Sequence, residues 1–288
     1  MGLIELTVDW YAGHRRDLPW RRPAAGAWGV LVSEFMLQQT PVNRVLPMYE
    51  AWLERWPKPG DLAAEPSGEA VRAWGRLGYP RRALRLHAAA TAITERHGGV
   101  VPADYTELRA LPGVGDYTAA AVASFAYGRR HAVLDTNVRR VLARACSGEQ
   151  YPATSVSAAE RTLAEALLPE EPSMAAAWAA ASMELGALVC TAKGPRCEIC
   201  PVVDLCAWRA AGSPEHTGPA RKGQSYAGTD RQCRGALLAV LRAADAPVEA
   251  EALFAAWTAD EEQRGRALRS LLEDGLAVRT AGNQYRLP

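Results

Sequence analysis

Apolar residues recur at helical spacing through residues 1–212, in segments of Ala, Leu and Arg broken by short Gly or Pro turns. The turns are WPKPG (56–60), LGYPRR (77–82) and HGGVVP (97–102). One segment is apolar on both sides of an acid: Val30-Leu31-Val32 precede Ser33-Glu34, and Phe35-Met36-Leu37 follow. Further on, Tyr105–Ala110 reads as a helix that Asp104 is placed to cap and Pro112 ends. Asp116 opens the next helix, Tyr117–Tyr127. Asp135 stands before an apolar helix, where it is either an N-cap or a chemical group.

The pattern stops at Gly212–Thr229, GSPEHTGPARKGQSYAGT, whose Gly, Pro, Ser and charge read as a linker. Beyond it, Leu237, Leu238, Val240 and Leu241 predict one helix, and Leu253, Phe254 and Trp257 a second. A third starts near Glu261, carries Leu268, Leu271 and Leu272, and ends at Gly275. Leu276–Val278 and Tyr285–Leu287 flank Gly282-Asn283 and predict a hairpin. Three helices and a β wing predict a winged helix, a fold that binds nucleic acids and proteins alike. The expected fold class is therefore mainly α.

The 288 residues suffice for one large or two modest domains with a well-filled core, and 49% are hydrophobic, with Ala favouring helix. No apolar run reaches the length of a membrane span, and the N-terminus has no apolar signal core, so a soluble, cytoplasmic protein is expected. Net charge is only +1, which announces no polyanion partner. Arginine pairs nevertheless recur at Arg15-Arg16, Arg21-Arg22, Arg81-Arg82, Arg129-Arg130 and Arg139-Arg140. They predict either solvated helix faces or a phosphate-facing stripe.

Two short motifs carry chemistry. In Leu111-Pro112-Gly113-Val114-Gly115-Asp116-Tyr117 the third glycine of a dinucleotide fingerprint is missing, and a helix, not a strand, precedes it. A helix–glycine hairpin–helix aims backbone N–H groups at one phosphate, with Gly113 and Gly115 expected at positive φ. A purely structural hairpin is the alternative. The second motif is Cys190-x6-Cys197-x2-Cys200-x5-Cys206. Four thiolates so spaced suit zinc or a [4Fe–4S] cluster; the single C-x2-C pair and uneven spacers favour the cluster. Cys146 and Cys233 are isolated.

Together the hairpin and cysteine loop resemble the endonuclease III superfamily of DNA glycosylases. Within it, LPWR (18–21), SEFMLQQTPV (33–42), LDTNVRRVLAR (134–144) and MELGALVC (183–190) resemble the MutY-type adenine glycosylases. The resemblance implies two helical domains, with residues 1–23 plus 132–212 carrying the cluster and residues 24–131 forming a barrel that includes the hairpin. Residues 213–229 are then the linker and 230–288 the winged-helix-like domain. It implies action on double-stranded DNA with a mismatched or oxidised base pair, nucleoid-associated in a bacterium; nothing in the chain suggests more than a monomer.

The same resemblance assigns roles. Glu34 protonates adenine N7, Asp135 stabilises the cationic sugar, and Asn137 and Tyr117 assist. Gln39 wedges into the base stack with Gln38 and Thr40 beside it. Trp20, Arg21 and Leu37 surround the extruded adenine, and Glu184 is an acid near the pocket. Gly113, Val114 and Gly115 hold phosphate, and Cys190, Cys197, Cys200 and Cys206 hold the cluster. Relatives that cut the strand carry a lysine amine where this chain has Tyr117, and a phenol forms no imine.

The expected function is thus a monofunctional adenine DNA glycosylase of base excision repair, removing adenine opposite 8-oxoguanine or guanine by hydrolysis. Three features depart from the family: Asp135-Thr136-Asn137 in place of Asp-Gly-Asn, Pro80 in place of an aromatic, and a tail too short for a Nudix-like domain. The alternatives are a thymine/uracil mismatch glycosylase and a non-catalytic iron–sulfur DNA-binding regulator.

Overall fold

A computed structural model describes residues 1–218 and 226–288. Of the expected linker 213–229, residues 219–225 lie outside the described residues. In chain order the helices are α1 (Leu3–His14), α2 (Gly26–Leu37), α3 (Val42–Arg55), α4 (Pro59–Ala63), α5 (Ser67–Trp74) and α6 (Arg81–His97). There follow α7 (Tyr105–Arg109), α8 (Asp116–Tyr127), α9 (Thr136–Ala145), α10 (Ala158–Ala166), α11 (Pro172–Leu188) and α12 (Ala207–Ala210). The tail runs α13 (Asp230–Ala243), β1 (Val248–Glu249), α14 (Ala250–Phe254), α15 (Glu261–Glu273), β2 (Val278–Arg279) and β3 (Gln284–Arg286). No helix among the described residues is long and apolar enough to cross a membrane.

The chain divides into two compact units. The first takes Met1–Leu31, Pro102–Ala110 and Val114–Ala220; the second takes Val32–Val101, Leu111–Gly113 and Arg221–Pro288. These units group α7 and α8 with the cysteine loop and the tail with α3–α6, so they cut the chain at points other than the expected domain limits.

In the first unit, α9 and α11 form the central seam. Val138, Leu142 and Trp178 pack with Leu168 and Ala175, while α1 adds Leu3, Ile4 and Val8. On the other side of α9, Val141 packs with Leu185, Val189 and Val202. Local chemistry starts α7 where sequence predicts, and starts α10 as well. Asp104 accepts from the Thr106 and Glu107 amides (2.8 and 3.0 Å), and Ser157 with Glu160 forms a capping box at α10.

In the second unit α6 packs on α4 and α5 around an aromatic core in which Trp52 meets Trp56 and Trp74 edge to face. The tail of this unit has the winged-helix order, helix–strand–helix–helix–strand–strand, with an antiparallel sheet ordered β1-β3-β2. Trp257 lies beyond α14, contrary to the expected second helix; its indole instead donates to Gln263 at the start of α15 (2.9 Å).

Candidate active site

Asp135 is the N-cap of α9, and its carboxylate is tied down completely. Oδ1 accepts from the Asn137 and Val138 backbone N–H groups (2.9 and 2.6 Å), and Oδ2 from the Asn137 side-chain amide (2.7 Å). The cap and chemical readings of Asp135 are thus not exclusive. Burial pushes its carboxyl above the ordinary aspartate value, against these hydrogen bonds and the nearby Arg140 charge. Asn137 is oriented in turn: its Oδ1 accepts from Arg140 Nη2 (2.8 Å), which also donates to Gly186 O (2.6 Å). Arg140 Nε reaches Cys190 O (2.7 Å). α11 can come this close because residue 186 is glycine: a Cβ there would stand 2.7 Å from both Cβ and O of Asn137.

Glu184, with a fully buried side chain, is held by two arginines at once. Arg16 donates its backbone N–H and Nε to Oε1 (both 2.9 Å) and Nη2 to Oε2 (2.7 Å). Arg21 adds Nη1 to Oε1 (3.0 Å) and Nη2 to Oε2 (2.9 Å). Burial acts to raise this carboxyl's pKa, but the two guanidiniums overcome it and bring it down to about 2. Glu184 is therefore a fixed anion that anchors the segment carrying Arg21 and the buried Trp20 to α11.

These contacts revise the arginine stripe. Arg16 and Arg21 serve Glu184, Arg22 pairs with Asp17, and Arg139 and Arg140 are buried and bonded to protein. Arg139, Arg140 and Arg144 are buried along with Val138, Val141 and Leu142, so this helix has no solvated face to spare although its sequence pattern is that of an amphipathic helix.

In the second unit Glu34 is 6% exposed, beside Val32, Phe35 and Met36, each at 1% or less. Leu37 ends α2, and Gln38, Gln39 and Thr40 make the turn that follows. Arg82, unnoticed as a site residue in sequence, holds this turn through Nη1 to Phe35 O (3.1 Å) and Gln38 O (2.5 Å). The Thr40 hydroxyl donates to Leu77 O (3.3 Å). Gln39 is left exposed with a φ of 54°, a conformation that costs a non-glycine residue about 1–3 kcal/mol.

At the hairpin, Gly113 has a φ of 77°, and a Cβ there would meet Arg85 Cβ at 2.7 Å. Gly115 does not share the expected positive φ: at −94° it is the extended N-cap of α8. Val114 is buried, and its carbonyl accepts from Arg109 Nη1 (2.9 Å). Arg109 also pairs with Asp116 (2.6 Å). Tyr117, in the first turn of α8, packs against Ala120, Ala121, Val133 and Ala179.

Cys190, Cys197, Cys200 and Cys206 line one cavity together with Arg144 and Arg209. Arg144 Nη1 contacts Cys190 Sγ (3.4 Å) and donates to Thr191 O (2.8 Å). Burial pushes the Cys200 thiol up to about 11, and the other three sulfurs push the same way. Four thiolates so crowded need cationic iron among them, and two flanking guanidiniums suit the anionic whole. The residues fit a [4Fe–4S] cluster, which when bound links four points of the loop into one rigid node.

Helix, glycine hairpin, capped aspartate and four-cysteine loop define a helix–hairpin–helix DNA repair protein. The family model described as the HhH-GPD superfamily of base excision DNA repair proteins matches residues 32–169, and the iron–sulfur binding domain of endonuclease III matches 190–206. The adenine DNA glycosylase of Mycobacterium tuberculosis (strain ATCC 25618 / H37Rv) is 53% identical over 281 residues, 98% of this chain and 92% of its own length. That of Mycolicibacterium smegmatis is 54% identical over 286 residues, 99% and 95% of the two chains. A solved thermostable thymine-DNA glycosylase superposes with a TM-score of 0.64 at 28% identity, over 72% of this chain and 95% of that one. The chain belongs to the adenine DNA glycosylase family of the HhH-GPD superfamily. It is a DNA glycosylase of base excision repair, and its cysteine loop carries a [4Fe–4S] cluster.

Proposed function

We propose that this enzyme hydrolyses the N-glycosidic bond of adenine mispaired with 8-oxoguanine or guanine in duplex DNA, and leaves the abasic strand uncut. The observation that carries the reading is Glu34, an acid set among wholly buried apolar neighbours. Protonating a leaving purine at N7 calls for a carboxylic acid held in a site closed to bulk water, and Glu34 is buried. Departure of the base leaves an oxocarbenium-like sugar. The Asp135 carboxylate, fixed by Asn137 and the α9 amides, stabilises that charge until water adds at the anomeric carbon. Tyr117 offers no amine, so no imine forms and no strand cleavage follows. We assign Trp20, Arg21 and Leu37 to recognition of the extruded base and Gln39 to filling the stack it leaves.

Single-turnover release from duplexes with A opposite 8-oxoguanine, A opposite G, T opposite G and U opposite G tests the proposal. Alkali is added to half of each sample. Adenine release with strand breaks only after alkali is expected, and Glu34→Gln should remove it. Release of thymine or uracil instead, breaks without alkali, or wild-type rates in the glutamine variant would overturn it.

A further inference from the structure

The second unit contains a cleft of about 450 Å³ whose arginines have no part in the catalytic assignments. It is lined by Arg81, Arg82 and Arg85 of α6 and by Arg231 and Arg234 of α13, against a single carboxylate, Asp274. In a chain of net charge +1, five guanidiniums around one cavity are a strong local concentration of charge. Gln38, Gln39 and Tyr79 form its rim. Tyr79 is 52% exposed and, like Gln39, holds a positive φ (48°), so an aromatic ring and an amide are presented outward in backbone conformations that such residues rarely take.

The cleft is built rather than incidental, because the tail is fastened to α5 and α6. Arg72 donates to Arg242 O and to Ala244 O (2.9 Å), and Arg242 Nε answers to Val71 O (2.9 Å). Pro288 O accepts from the Gly68 N–H (2.9 Å). Asp274 lies between Arg81 (3.2 Å) and Arg234 (2.6 Å), which orients one arginine from each wall. Arg85 makes no hydrogen bond or ion pair among the described residues, and Arg231 lies over the Tyr226 ring (5.5 Å). Both are exposed.

We infer that the winged-helix tail is part of the DNA-binding surface, and that this cleft takes the phosphodiester backbone of the duplex through Arg85, Arg231 and their neighbours. Guanidinium forks match phosphate oxygens, and exposed aromatic and amide groups at the rim suit adjoining nucleotides. The tail thus binds through α13, the face turned to α6. This rests on the DNA glycosylase reading but concerns binding alone.

The test is duplex affinity of the full-length holoprotein against salt, by anisotropy on an undamaged duplex, for wild type, Arg85→Gln, Arg231→Gln and the double variant. Melting temperature serves as the folding control. Each single change should weaken binding several-fold at low salt and make the slope of log K against log salt shallower by about 0.9, and the double by about twice that. Wild-type affinity and slope in the folded double variant would overturn the inference and leave the cleft to an acidic protein surface. The release assay on wild type stands apart: no base release with the slope change intact would sink the enzyme reading and leave the cleft standing.

Discussion

Asp135 and Glu184 show how one residue type-class is set to opposite ends by its partners. At Asp135 burial dominates, so the folded carboxyl holds its proton to higher pH than an ordinary aspartate of 3.8. If the carboxylate is the working form, base release at saturating enzyme falls on the acid side at a pH above that ordinary value. A single-turnover pH profile checks this. The same shift means that ionised Asp135 opposes folding at neutral pH. Asp135→Asn keeps an N-cap acceptor, so it should abolish release while leaving the melting temperature at pH 7 equal or higher. At Glu184 the sign is reversed. A folded pKa of about 2 against 4.5 contributes stability that is complete above about pH 5 and lost as pH falls from 4.5 toward 2. Glu184→Gln should cost about 3 kcal/mol at pH 7, with the gap to wild type closing below pH 4 in denaturant melts.

Between elements, the α9–α11 seam is where packing meets chemistry. Gly186 lets the two backbones approach, and the carbonyl it places there receives the guanidinium that orients Asn137. Gly186→Ala forces the helices apart by the added methyl, at a cost of about 1–3 kcal/mol. Because Asn137 is what the methyl meets, base release should drop at least tenfold at saturating enzyme while duplex affinity holds. Comparing the single-turnover plateau with the binding isotherm separates the two. Sequence made one side of this seam readable. Asp104 and Asp135 act within three residues of themselves, so their caps could be read from the chain. Arg16 and Arg21 meet Glu184 across 168 and 163 residues, and nothing local distinguished them from solvated arginines. Gly115 misled for a related reason: two glycines near a turn need not both supply its reversed φ, and here Gly113 alone does.

On the scale of the molecule, the tail was legible as a winged helix because its apolar periods and its Gly282-Asn283 turn are local, whereas its seat on α5 was not. That seat depends on a residue more than two hundred positions from the chain's end. A Cβ on Gly68 would run into Pro288 O and come within 2.9 Å of Leu287 Cβ, so the last two residues close onto a glycine that has no side chain to yield. Gly68→Ala lies in α5, where alanine is otherwise the better helix former by about 1 kcal/mol, so the helix itself gains. Any loss must then come from the displaced terminus. Hydrogen exchange should show reduced protection in α13 and β3 with α3 and α4 unchanged. If the arginine cleft grips the duplex, affinity should fall in the same direction as in Arg231→Gln, although no charge has been removed. Unchanged exchange in α13 would mean that the reciprocal Arg72 and Arg242 bonds hold the tail without the Pro288 contact, and the affinity should then stay at the wild-type value.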